Sequence, residues 1–68
     1  MPKASRVLAA LKRDGWVEIR RSGSHRTLEK DGSMARWAFH DGSDLGKVQL
    51  AQIAKQFGYT RDELLELL

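Results

Sequence analysis

Apolar residues recur at Ala4, Val7, Leu8 and Leu11, the i, i+3, i+4, i+7 spacing that gives a helix one apolar face. The spacing predicts a helix from about residue 3 to about residue 14, with Lys12 and Arg13 at the negative end of its dipole and Gly15 as its stop. The period then changes. Trp16-Val17-Glu18-Ile19-Arg20 alternates and is rich in β-formers, so a strand is predicted over about 16–21. Ser22-Gly23 is a turn signal, and a second strand is predicted over about 24–30. Asp31-Gly32 suits a two-residue hairpin turn with positive φ at both positions. A third strand is predicted over about 33–40, ending at His40. After the loop Asp41-Gly42-Ser43-Asp44, the helical spacing returns at Leu50, Ile53, Ala54 and Phe57. That places a second helix over about 46–57, stopped by Gly58. Thr60-Arg61-Asp62-Glu63 has the form of a capping box, which opens a third helix over about 61–67 with Leu64, Leu65, Leu67 and Leu68 as its apolar residues. The predicted architecture is one α+β domain over residues 1–68: helix, three-stranded antiparallel meander, helix and short C-terminal helix.

Hairpin arithmetic turns this outline into faces. A two-residue turn at Asp31-Gly32 sets Thr27 opposite Arg36 and His25 opposite Ala38. A two-residue turn at Ser22-Gly23 sets His25 opposite Arg20 and Leu28 opposite Val17. Because side chains alternate between the faces of a sheet, one face collects Val17, Ile19, Leu28, Ala35, Trp37 and Phe39 and is expected to pack on the helices. Arg26 shares that parity, with its guanidinium expected near the Trp37 indole. The other face collects Glu18, Arg20, His25, Thr27, Glu29, Arg36 and Ala38, with His40 at its far end. Trp16 has the parity of this open face, but it directly follows Gly15 and is expected to fold under the helix into the core.

Charge adds a direction. The net charge is +3. Residues 1–36 hold nine Lys and Arg against four Asp and Glu, whereas residues 37–68 hold three against five. A basic front half suits a polyanionic partner. Lys3, Arg6 and Arg13 form a stripe on the first helix that could follow phosphates. There is no cysteine, and two histidines distant in sequence make a poor zinc site. No metal or cofactor is therefore expected. No apolar run is long enough to span a membrane and the N-terminus lacks a signal-peptide core, so a cytoplasmic protein is expected. A chain of 68 residues gains little stability from its own core, which makes a partner protein or a dimer reasonable.

The densest chemistry lies in Arg20-Arg21-Ser22-Gly23-Ser24-His25-Arg26. An imidazole titrates near neutral pH and can take a proton from a hydroxyl or give one to a leaving oxygen. Guanidinium groups bind phosphates and stabilise charge that builds on them. A 2′-hydroxyl of RNA attacking its neighbouring phosphate needs only such groups. The residues themselves leave three classes open: an RNA-cleaving enzyme, a module that only binds RNA or a protein, and an interaction domain whose basic charge is incidental.

The chain also resembles a family. Leu8 and Leu11 on the leading helix, Gly15-Trp16, Arg20, Gly23-Ser24-His25, His40, Leu45, Leu50 with Ile53, Gly58 and the closing Thr60-Arg-Asp-Glu-Leu-Leu-Glu-Leu-Leu together resemble the HicA toxins, or YcfA-like proteins, of type II toxin–antitoxin systems. The chain departs from the common pattern at Arg26, Ala38 and Val48. The resemblance implies a fold like that of double-stranded-RNA-binding domains. It implies an mRNA interferase, a metal-independent endoribonuclease that halts translation, and a cognate HicB-like antitoxin that masks its histidine. His25 matches the catalytic histidine, and Gly23 and Ser24 shape its turn. Arg20, Ser24, Arg26, Arg36, His40, Lys3 and Arg6 are the expected substrate contacts.

Overall fold

The computed structural model describes residues 2–68. It contains α1 (Ala4–Arg13), β1 (Val17–Ser22), β2 (His25–Lys30), β3 (Ser33–Trp37), α2 (Lys47–Phe57) and α3 (Arg61–Leu67). The strands form an antiparallel meander in the order β1-β2-β3. The helices cover one face of the sheet and leave the other open. Val7, Leu8 and Leu11 of α1, Leu28 and Trp37 of the sheet, Ile53 and Phe57 of α2 and Leu64 of α3 make one core. These are the apolar positions that the helical and strand periods mark. Trp16 belongs to the core, its ring edge-on to Phe57 at 4.8 Å between centroids. Thr60 caps α3 as predicted: its Oγ1 accepts from the Glu63 amide at 3.1 Å, and the Glu63 carboxylate accepts from the Thr60 amide at 2.8 Å.

The second hairpin follows its sequence signal. Asp31 and Gly32 both have positive φ, 51° and 82°, and the ladder runs from Lys30↔Ser33 to Arg26↔Trp37 with Thr27 opposite Arg36. The first hairpin does not. Its turn is Gly23-Ser24, with Gly23 at φ 62°, so pairing starts at Ser22↔His25 and continues through Arg21↔Arg26 and Arg20↔Thr27. The ladder is then interrupted between Glu18 and Arg20, and resumes at Glu18↔Leu28 and Val17↔Glu29. Ile19 is the extra residue of a β-bulge.

A bulge sets two residues against one and reverses the alternation beyond it. The shifted turn already sets Arg20 opposite Thr27 rather than His25, and the bulge beyond it sets Val17 opposite Glu29 rather than Leu28. Val17 and Ile19, expected in the core, are 60% and 50% exposed. Glu18, expected on the open face, turns toward the helices. There its Oε1 lies 3.5 Å from Arg26 Nε and 3.6 Å from Lys12 Nζ.

β3 also ends at Trp37, three residues before the expected His40. The cause lies in α1. No side chain caps this helix, and its first amides need acceptors. The Ala4 amide donates to Ser43 O at 2.8 Å and the Ser5 amide to Asp41 O at 3.1 Å. Lys3 Nζ pairs with Asp44 at 2.9 Å. These bonds draw the chain out of the sheet and across the start of α1.

Candidate active site on the open sheet face

Three rows of side chains cross the open face. Val17, Glu29 and Met34 form one, and Arg20, Thr27 and Arg36 the next. His25 lies at the end of the third, paired with Ser22 and beyond the last residue of β3. The tight turn at Gly23-Ser24 makes His25 the first residue of β2 and keeps its ring exposed. Alternation then sends Thr27 to the same side one step along.

His25, Arg20, Ser22, Arg26, Thr27 and Arg36 line one recess of about 280 Å³. Arg20 reaches it diagonally, since directly opposite it stands Thr27. A diagonal neighbour about 7–8 Å away is within the span of an arginine. Among the described residues neither Arg20 nor Arg36 makes an ion pair. Both guanidinium groups are therefore free to meet an anion. The recess combines an accessible acid/base group with two cations, an arrangement suited to a phosphodiester and a neighbouring hydroxyl.

Of the other expected contacts, Arg26 borders the same recess without freeing its charge to it, and the rest lie elsewhere. Arg26 points under the sheet, only 9% exposed, between Glu18 and Asp41; its Nη2 lies 3.3 Å from Asp41 Oδ1. Two carboxylates, rather than the Trp37 indole, receive its charge. His40 shares no recess with His25. It lines a separate hollow of about 250 Å³ with Arg21, Gly23, Ser24, Arg26, Phe39 and Asp41, so that Arg26 borders both. The alternation that put it on the open face lapses once β3 ends. On α1, Lys3 is bound to Asp44, Lys12 to Glu18, and Arg13 donates to Leu67 O at 3.3 Å. Arg6 is exposed with no ion pair among the described residues, but its helix lies on the covered side of the sheet.

Three residues beside the recess come forward only in the structure. Ile19, Met34 and Gln56 border a larger cavity of about 500 Å³ that shares Arg20, Thr27 and Arg36 with the histidine recess. Met34 follows from the alternation that exposes Arg36. Ile19 depends on the bulge and Gln56 on how α2 docks, and neither has a local signal.

Among the described residues no three His, Cys, Asp or Glu side chains cluster as metal ligands. Among them also, no helix is long and apolar enough to cross a membrane.

Residues 4–59 of the 68 match the sequence model of a family described as HicA toxin of bacterial toxin–antitoxin systems. Comparison with curated proteins gives no match. The matched span runs from the first residue of α1 to Tyr59 just after α2, and so contains the whole sheet.

Proposed function

Because this chain belongs to the HicA toxin family of bacterial toxin–antitoxin systems, we propose that it is an endoribonuclease that cleaves mRNA and thereby stops translation. The observation that supports this reading is the exposed His25 ring sharing a recess with two unpaired guanidinium groups, Arg20 and Arg36. His25 takes the proton of a ribose 2′-hydroxyl. The 2′-oxygen attacks the adjacent phosphorus, the bond to the 5′-oxygen breaks, and that oxygen receives a proton from the imidazolium. The products are a 2′,3′-cyclic phosphate and a 5′-hydroxyl end. Arg20 and Arg36 hold the phosphate and stabilise the extra charge on its oxygens as phosphorus becomes five-coordinate. No step draws on a metal or cofactor.

Gly23 and Ser24 set the angle at which His25 leaves the turn. Arg26 acts through Glu18 and Asp41 as a positioning residue. His40, Lys3 and Arg6 are left for more distant parts of the RNA. The partner is a cognate HicB-like antitoxin that covers the His25 recess, and the cytoplasm, where translation occurs, is the place of action.

The test is His25→Ala. Wild-type protein is expected to arrest growth and to leave 2′,3′-cyclic phosphate ends on RNA, in the presence or absence of a chelator. The variant is expected to fold, to bind RNA and to do neither. Cleavage by His25→Ala at the wild-type rate would remove the histidine from the mechanism. Binding without cleavage by the wild type would make this chain a binding module.

A further inference from the structure

The cavity beside the histidine recess has a composition of its own. Its walls are Ile19 and Met34, 50% and 66% exposed, together with Arg20, Thr27, Arg36 and Gln56. Ile19 on β1 and Met34 on β3 face one cavity from the two outer strands, and large apolar side chains exposed around one cavity mark a place for a ligand or partner. One of them, Ile19, is outside the core only because the β-bulge displaces it. Gln56 is fixed at the rim by donating from Nε2 to Arg36 O at 2.7 Å. Among the described residues no carboxylate lines the cavity.

Charge varies along this face in one direction. His25 and the two arginines stand at one end, and Glu29 stands in the last row between Val17 and Met34. A polyanionic backbone is attracted to the first end and repelled from the second. Along β2, His25, Thr27 and Glu29 are separated by steps of about 7 Å, close to the span of one nucleotide. A strand whose phosphate sits at Arg20 and Arg36 thus has its attached base over Ile19 and Met34. A cavity of about 500 Å³ has room for a base and its ribose.

We propose that this cavity is a nucleobase seat for the nucleotide adjoining the scissile phosphate, with single-stranded RNA as its ligand. Ile19 and Met34 grip the faces of the base, and Gln56 with Thr27 meets its polar edge and sets preference among bases. The proposal rests on the nuclease reading of the His25 recess. It adds that the substrate is unpaired at this point, because a paired base would first have to be unpaired and unstacked, a cost that a single-stranded base avoids.

The experiment measures binding of fluorescein-labelled RNA hexamers to the full chain carrying His25→Ala, which prevents turnover. One hexamer has all its bases, and a matched hexamer is abasic at the central positions. Adding Ile19→Ser with Met34→Ser is expected to weaken binding of the complete hexamer about fivefold or more. Binding of the abasic hexamer should not change. Gln56→Ala is expected to alter the order of affinity among U6, C6 and A6 while leaving the salt dependence intact. All three positions are exposed, and circular dichroism checks that each variant folds.

Equal affinities for both hexamers in every variant would overturn the seat, even if wild-type protein cleaves RNA. So would variants that keep full RNA affinity but lose the antitoxin, since the cavity would then be a protein contact. Absence of cleavage by wild type would overturn the nuclease reading instead, and the base-against-abasic comparison would still report on the seat.

Discussion

Glu18 Oε1 lies 3.5 Å from Arg26 Nε on the covered side of the sheet, and the two residues are side by side only because a bulge separates Glu18 from Arg20. The contact is an ion pair without a hydrogen bond at Nε, and Asp41 supplies the second carboxylate. Removing one carboxylate leaves a largely buried guanidinium with half its compensation. Glu18→Ala is therefore expected to destabilise the fold by about 1–2 kcal/mol, read as a lower urea midpoint. It should also loosen the segment carrying His40 and Asp41, visible as faster amide exchange at Ser5, whose amide is bonded to Asp41.

Arg20 and Arg36 are the free cations of the recess, and Arg26 is the bound one. Arg20→Ala and Arg36→Ala are each expected to slow RNA cleavage about tenfold to hundredfold while leaving the urea midpoint within about 0.5 kcal/mol of wild type. Each should also reduce the salt dependence of RNA binding. Arg26→Ala should show the opposite balance, with the larger loss in stability. A stability loss from Arg20→Ala equal to that from Arg26→Ala would contradict this division.

A polar chain ties α1 to β2 and to the end of α2. Lys30 Nζ pairs with Asp14 Oδ2 at 2.9 Å, Tyr59 Oη donates to the same oxygen, and Trp16 Nε1 donates to Tyr59 Oη at 3.0 Å. The Tyr59 hydroxyl and then the Lys30 ammonium hold the Asp14 carboxyl below its usual range. Its contribution is therefore present above the ordinary carboxylate pKa and disappears as pH falls through the lowered value. Burial and then the hydrogen bond to Asp14 raise Tyr59, and the hydrogen bond to Asp14 raises Lys30. Their contributions are present below the ordinary tyrosine and lysine values and disappear as pH rises past the raised ones. Asp14→Asn is expected to flatten both limbs of a plot of melting temperature against pH. Unchanged slopes at both ends would sink this assignment.

The Thr60 cap supports a helix of seven residues whose single fully buried side chain is Leu64. Thr60→Ala should cost about 1 kcal/mol, and Leu64→Ala about 2–4 kcal/mol, both by equilibrium denaturation.

The order legible in the chain is local. Helical spacing marked α1 and α2, Asp31-Gly32 set the register of β2 on β3, and Thr60 with Glu63 opened α3. Each depends on backbone preferences within a few residues of one another, so each is written in adjacent letters. The same reading placed His25 on the open face with Arg20 and Arg36, and it survived a misplaced turn because pairing from Ser22 instead of Arg21 moved the register by two residues, which preserves the face. Tertiary structure decided the rest. The bulge at Ile19 is a property of two strands and of what lies beneath them: Glu18 meets Arg26 and Lys12 there, and no single segment carries that information. The early end of β3 was decided by α1, whose uncapped amides take the carbonyls of Asp41 and Ser43 from a loop more than thirty residues away. That choice removed His40 from the sheet face. The arginines followed the same logic, since three of similar appearance along the chain became two free cations and one buried ion pair only when the carboxylates of distant segments arrived beside Arg26.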